Sequence, residues 1–304
     1  MTHLSTILSP LFIDWQPEKE IFHIGPITVL WYSTFWILGL ALAIVIVARL
    51  YKEQKIDDSK FEPLFFYCFF GIIIGARLGH CLFYEPRYFL SSGTHFVEMF
   101  IPFKKEYSPA LGAEKWVYHG YQGLASHGGT IGLFISLLLY VRKYKVNVLR
   151  VLDNIGIATP ITACCIRLGN LMNSEIIGSP TDMPWGFIFH TNDGLVNGQL
   201  GPRHPSQLYE AIAYLVIFIV GFILYRKMRG RVGTGFFFGY CLATIFTFRF
   251  FIEFLKEVQV DFEQNLPLDM GQLLSIPFII VGVYCMIGSK WLRKIGEQKN
   301  PAQH

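Results

Sequence analysis

The chain has 304 residues and a mass of 34.8 kDa, with 52% hydrophobic residues, only 16% charged residues and a mean hydropathy of +0.40. A soluble domain carries roughly a quarter of its residues as charges, so this chain lacks the polar surface to cover a water-facing globule and reads as a membrane protein. Its 28 Phe, 15 Tyr and 6 Trp exclude disorder, and no nucleic-acid partner is expected of a formal net charge of only +4.

From the N-terminus, the first 29 residues hold one lysine and no basic start followed by an apolar core, so no cleavable signal peptide is expected. A spanning helix needs about 20 mostly apolar residues. Seven stretches meet that requirement, at 29–50, 62–84, 123–141, 148–170, 207–225, 233–255 and 270–288. The expected fold is therefore an all-α integral membrane protein of seven transmembrane helices forming a single domain over 1–304. Connections after the first, third, fifth and seventh spans carry RLYKEQK, RKYK, RKMRGR and KWLRK, and together these sides hold 16 basic residues against 7 on the other. The positive-inside rule then places the N-terminus outside and the C-terminus in the cytoplasm. Segments 85–122 and 171–206 are too long for turns and are expected as irregular outer-side head segments, where function concentrates. Cys68, Cys81, Cys164, Cys165, Cys241 and Cys285 all fall in apolar runs and read as small buried hydrophobes. Gly71, Gly75 and Gly79, and then Gly128 and Gly132, recur every fourth residue, the spacing of closely packed membrane helices.

Arg77, His80, His127, Asp153, Arg167, Glu210, Arg249 and Glu253 fall within or at the ends of these spans. An arginine at a helix centre costs on the order of 2.5 to 3.5 kcal/mol even on the lenient insertion scale, so each needs a partner or a wet cavity. With the orientation above, His127, Arg167, Arg249 and Glu253, together with Tyr32, Arg77, Glu210 and Gln272, come out in the outer half, and only Asp153 on the cytoplasmic side. A net-basic cluster near the outer leaflet implies an anionic ligand, because the planar guanidinium fork suits phosphate. Arg249 and Glu253 are four apart and can pair on one helix face. A transporter for an anionic solute would also place arginines in the membrane, but it should show repeat-related halves, which are not seen. A metal-dependent lipid phosphotransferase needs several aspartates, and Asp153 is the only one in a span.

The strings SHGGTIG (126–132), IRLGNLMNSEIIG (166–178), RHPSQLYEA (203–211) and MGQLLSIP (270–277) stand out, with WYSTFWILG, GARLG and FRFFIEF. Together, from about Trp31 to Pro277, they resemble the bacterial prolipoprotein diacylglyceryl transferases. That resemblance implies a seven-span enzyme of the inner membrane with its active site toward the outer leaflet. It implies transfer of the diacylglyceryl group of phosphatidylglycerol to the lipobox cysteine thiol of prolipoprotein signal peptides. The product is a thioether, glycerol 1-phosphate is released, and the step is the first of lipoprotein maturation. Neither a cofactor nor a metal is expected; the partners are phosphatidylglycerol, the signal peptide and membrane lipids. The family's important residues fall on Tyr32, His127, Arg167, Asn170, Glu175, Gly178, Arg249 and Glu253. Departures sit beside them: Ile166 and Ser174 where the family usually has Gly, Ile177 for Trp and Ser126 for Phe.

The residue chemistry is consistent with that reaction. Arg167 and Arg249 are natural clamps for a phosphate, and His127, followed by two glycines, is a candidate base for a thiol. Tyr32, Asn170 and Asn173 would position phosphate or glycerol oxygens. Glu175, Glu210 and Glu253 would orient the arginines, Arg77 and Gly178 complete the expected substrate-binding set, and His204 reads as a hinge or a supporting group. The charge asymmetry makes a direct prediction: reporter fusions at Lys55, Lys145 and Arg229 will report a cytoplasmic location, and finding any of these loops outside would overturn the depth assignment.

Overall fold

The computed structural model describes residues 12–25, 27–101, 103–108, 112–118, 123, 125–196, 198–256 and 268–288. The basic cluster Lys290–Lys299 lies outside the described residues, as do short parts of 85–122 and Asn197 in the 171–206 segment. Long helices dominate: α1 (Trp31–Glu53), α2 (Phe61–Gly79, continued by a π-helical turn at His80–Tyr84), α5 (Ser126–Tyr144), α6 (Val148–Asn173), α7 (Ser206–Lys227), α8 (Phe236–Ile252) and α9 (Met270–Ile287). Among the described residues, six helical stretches are long and apolar enough to cross a membrane, namely Trp31–Glu53, Asp58–Tyr84, Val148–Asn173, Ser206–Lys227, Phe236–Leu255 and Met270–Ile287. The remaining expected span, α5, is a 19-residue helix whose polar first turn, Ser126 to Thr130, and basic Arg142 and Lys143 leave it outside that set.

The expectation of irregular head segments needs correction. The described residues between 86 and 118 include α3 (Pro86–Phe89), α4 (Gly93–Glu98) and a hairpin of β4 (Phe103–Ser108) against β5 (Ala113–Tyr118). Near the N-terminus, β1 (Ile13–Trp15) runs parallel to β6 (Phe187–Phe189), which pairs antiparallel with β9 (Pro202–Arg203). Two further antiparallel pairs, β2 (Glu20–Ile24) with β3 (Ile27–Leu30) and β7 (Leu195–Val196) with β8 (Gln199–Leu200), complete the strands among the described residues. These strands are two to six residues long, too short for period-two alternation to stand out against apolar helices.

The chain divides into two compact units. Tyr51–Val148 is one. Here the recurrent glycines let the backbones of α2 and α5 touch: a Cβ on Gly75 would lie 2.7 Å from Gly132 Cα, and one on Gly79 would lie 2.7 Å from Gly128 Cα. Where α2 ends, buried Arg77 donates to the carbonyls of Glu98 (2.9 Å) and Met99 (3.2 Å) and lies over the Phe89 ring. The Glu98 carboxylate accepts from Tyr88 Oη (2.8 Å) and the Lys105 backbone N–H (3.0 Å), so one buried side chain fastens α3, α4 and β4 together.

Residues up to Leu50 with those from Leu149 form the other unit. Its core holds Leu50, Ile157, Tyr225, Phe236 and Phe237, and a second cluster packs Leu171 with Phe187 and Phe189 under Trp15, whose indole donates to Leu171 O (2.9 Å). The fully buried Asp153 of α6 accepts backbone N–H groups from Gly233 (2.8 Å), Gly235 (3.1 Å) and Phe238 (3.0 Å). Gly235 stands at the N-cap of α8 with no side chain of its own, so α6 supplies the cap from outside the helix. Replacing Asp153 with alanine orphans those donors and is expected to cost about 3 kcal/mol, read as a lower unfolding transition of the detergent-solubilised protein.

Candidate active site

The site grows from the C-terminal end of α6. Arg167, Asn170 and Asn173 lie three residues apart, on successive turns of one helix face. The helix stops at Asn173, and the chain turns sharply through Ser174 (φ 55°) and Ile176 (φ 57°), both in the left-handed region. That geometry explains why glycine suits position 174 and marks Ile176, a β-branched residue, as strained. Side chains from the start of α7 hold the turn: Ser206 Oγ donates to Ile176 O (2.6 Å) and Gln207 Nε2 to Glu175 O (2.6 Å). Thus Glu175 is presented back toward α6, where Asn170 Nδ2 (3.1 Å) and Asn173 Nδ2 (3.0 Å) donate to its two carboxylate oxygens.

One turn further along α7, Glu210 is fully buried. Its carboxylate pairs with Arg167 Nε (2.7 Å) and Lys256 Nζ (2.9 Å) and accepts from Tyr214 Oη (2.8 Å). Lys256 also reaches Glu253 (3.3 Å), and its side chain is only 4% exposed. Its position depends on Gly178. The chain crosses itself there: Gly178 bridges to Lys256, Gly178 N–H donates to His204 O (2.9 Å) and Ser179 N–H to Leu255 O (2.8 Å). A Cβ on Gly178 would lie 2.6 Å from both His204 Cβ and His204 O and 2.8 Å from Leu255 O, so only glycine fits. Arg203 donates to Gly178 O (3.2 Å) and Leu195 O (2.6 Å), bracing the same crossing. His204 Nδ1 lies 3.2 Å from Tyr209 Oη, and burial holds its imidazole below the ordinary histidine range.

A cavity of about 480 Å³ opens beside this network. Tyr32, Arg167, Asn170 and Arg249 are among its polar groups, with Thr159 and Tyr214, and Ala163, Leu242, Ile245 and Phe246 are among its apolar lining. Arg167 and Arg249 differ in state. The first is neutralised by Glu210, whereas Arg249 has no hydrogen bond or ion pair among the described residues. A guanidinium lining a largely apolar cavity invites an anion, and the apolar wall beside it suits hydrocarbon.

Several expected site residues come out differently. Arg249 does not pair with Glu253, which turns instead to Lys256, because the helix tightens to a 3₁₀ turn at Glu253–Leu255 and brings position i+3 alongside. Arg77 is spent on the carbonyls of residues 98 and 99 and lies in the Tyr51–Val148 unit, as does His127, which is exposed in the first turn of α5. Gly178 serves a backbone crossing. Gln272 is buried, reciprocates the Asp269 cap of α9 and donates to Phe250 O (3.3 Å). Lys256 and Tyr214 were missed; the i, i+3 spacing of Glu253 and Lys256 was the available signal for the first.

Fold and site together define a multi-pass membrane protein with paired arginines in an amphiphilic cavity. Residues 19–288 match the family model described as prolipoprotein diacylglyceryl transferase. A phosphatidylglycerol–prolipoprotein diacylglyceryl transferase of Bacteroides fragilis is 56% identical over 276 residues, covering 91% of this chain and 95% of that protein. Those of Chloroherpeton thalassium and Porphyromonas gingivalis are each 39% identical, covering 91% of this chain and 94% and 95% of their own lengths. The chain belongs to the prolipoprotein diacylglyceryl transferase family.

The buried network makes a prediction about charge balance. Glu210→Ala leaves two buried cations facing each other and is expected to cost about 3 to 5 kcal/mol of stability, whereas adding Lys256→Met to it recovers part of the loss. Unfolding midpoints of the single and double variants in detergent will check this.

Proposed function

We propose that this chain transfers the diacylglyceryl group of phosphatidylglycerol to the lipobox cysteine of a prolipoprotein signal peptide, with the cavity holding Arg167 and Arg249 as the place of reaction. The observation that carries the reading is that two guanidiniums from different helices line one cavity together with a few polar groups and a mostly apolar wall, which matches a lipid with an anionic phosphate. The peptide's sulfur forms a bond to the glycerol carbon that bears the phosphate ester. The carbon–oxygen bond breaks, and its electron pair leaves with glycerol 1-phosphate. Arg249, free of an internal partner among the described residues, takes the developing phosphate charge, and Arg167 adds its remaining donors. Tyr32 and Asn170 orient the phosphate and glycerol oxygens from the cavity wall, with Asn173 behind them, tied to Glu175.

Glu175, Glu210 and Glu253 act as holders of the amides, of Arg167 and of Lys256, while Gly178 and Arg77 act through the backbone they organise. On the strength of the SHGGTIG string alone, His127 is assigned the thiol proton, since a free cysteine is only a few per cent thiolate near neutral pH. In this reading α5 is the seventh span, the N-terminus is outside and the C-terminus cytoplasmic, and the site faces the outer leaflet of the bacterial inner membrane. The 16 to 7 division of basic residues supports that orientation. The whole chain works as a single membrane domain with 85–122 and 171–206 on the outer side.

The test is direct: purified protein, phosphatidylglycerol and a lipobox peptide, followed by mass spectrometry. A cysteine peptide will gain a diacylglyceryl group with release of glycerol phosphate, also with a chelator present. The serine peptide will be inert, because an alkoxide is far harder to form. Equal transfer from phosphatidylethanolamine, or release of phosphatidic acid, would sink the assignment. Arg167→Lys and Arg249→Lys are each expected to lower turnover about a hundred-fold at normal expression, because a point charge cannot reproduce a two-donor grip.

A further inference from the structure

We propose that one face of the β4–β5 hairpin is an interfacial anchor, seated in the head-group layer of the same bilayer that the apolar helices cross. Strand pairing sets Phe103 opposite Tyr118, Lys105 opposite Trp116 and Tyr107 opposite Glu114. Directly paired residues share a face, so four aromatic rings line one side of the ribbon around the mutually neutralising Lys105–Glu114 pair (3.2 Å). All four are exposed: Phe103 by 40%, Trp116 by 44%, Tyr107 by 67% and Tyr118 by 69%. On the other face Ser108 is buried and Lys104 and Val117 are half-buried, with Lys104 over the Tyr88 ring, while Glu106, Ala113 and Lys115 are exposed, so that side packs on the protein in part and carries no exposed aromatic ring. Isolated surface aromatics need no explanation, whereas four on one face of a two-stranded ribbon do, because such a ribbon is marginal in water by itself.

What covers this face follows from depth. Arg77 lies seven residues before the end of the Asp58–Tyr84 span, about 10 Å along a helix rising 1.5 Å per residue. Its guanidinium nonetheless holds the carbonyls of Glu98 and Met99, so the chain that left the span at Tyr84 has folded back to the level of the span's last turns. Strand β4 begins four residues after Met99, and Phe96, Val97 and Phe100 beside it are also exposed. After Tyr118 the chain enters α5 at Ser126. A segment pinned at that depth and joined at both ends to long helices meets lipid before it meets water. Tyrosine and tryptophan, apolar rings with a polar edge, are the side chains that favour the boundary.

Charge refines the inference. Between Glu85 and Tyr118 the four basic residues Arg87, Lys104, Lys105 and Lys115 are matched by Glu85, Glu98, Glu106 and Glu114. Anchoring is therefore driven by the rings, and it is indifferent to head-group charge and to salt. The inference rests on the apolar helices and holds whatever reaction the protein catalyses.

Benzoylphenylalanine, a photo-crosslinking residue, placed in the full-length protein tests this in lipid nanodiscs of phosphatidylcholine alone and of phosphatidylcholine with phosphatidylglycerol. Irradiated samples are read by intact mass. Substitution at Tyr107 or Tyr118 is expected to yield lipid adducts several-fold above substitution at Glu106 or Lys115 on the opposite face, equally in both lipid compositions and at low and high salt. Should one labelled variant fail to accumulate, Phe103 and Trp116 offer the same comparison. Protein–protein adducts, which mean a second copy covers the face, would overturn the proposal. So would equal yields from both faces, or yields that collapse with salt.

Discussion

Glu210 sits fully buried in a helix apolar enough to cross a membrane, and a carboxylate in that position persists only if cations come to it. Arg167 comes from α6 and Lys256 from just beyond α8, while Tyr214 stands one turn along α7 itself. Each delivery imposes a condition on the chain. Lys256 reaches the carboxylate because the strand-like stretch at Gly178 and Ser179 holds residues 255 and 256 by backbone hydrogen bonds, and that stretch in turn follows a turn held open by Ser206 and Gln207. The string RHPSQLYEA is thus one device. Its first residue braces the crossing, its serine and glutamine hold the turn, and its glutamate gathers the cations.

This arrangement separates two arginines that look alike in sequence. Arg167 is balanced before any ligand arrives, and its geometry is set by Glu210 and by Asn170 at 3.5 Å. Arg249 brings charge into the cavity without a counter-ion among the described residues. One guanidinium is preorganised and the other electrostatically unsatisfied, a combination that gives an anion both a template and a driving force.

The apolar helices were legible because runs of about 20 residues leave few alternatives, and the polar residues in them were legible because lipid makes them expensive. What each polar residue does was not. Arg77 and Asp153 serve the backbone of other segments, holding carbonyls in one case and N–H groups in the other. Such partners lie 21 to 85 residues away, beyond any local spacing rule. The expected Arg249–Glu253 pair assumed a regular helix through residue 253, where the structure tightens into a 3₁₀ turn and hands Glu253 to Lys256. The hairpin at 103–118 was hidden for a different reason. FKKEYS and AEKWVY are only six positions each and alternate imperfectly, with Lys105 and Glu114 on the same face as the rings, so the loop's polarity outweighed that short signal.

The fastening of the head segment through Tyr88 and Glu98 carries a consequence for alkaline conditions. Burial, with the hydrogen bond to the Glu98 carboxylate adding to it, pushes the Tyr88 phenol up to about 12 from its ordinary value of 10.0. A phenol raised in the folded protein contributes stability that is complete below its unfolded value and is lost as pH climbs through the folded one. The clasp joining α3 to α4 and β4 therefore keeps its donor proton across the whole neutral and mildly alkaline range, loosening only between pH 10 and about 12. For a segment outside the membrane helices, that makes this one clasp insensitive to the ordinary acidity swings of the medium on the alkaline side.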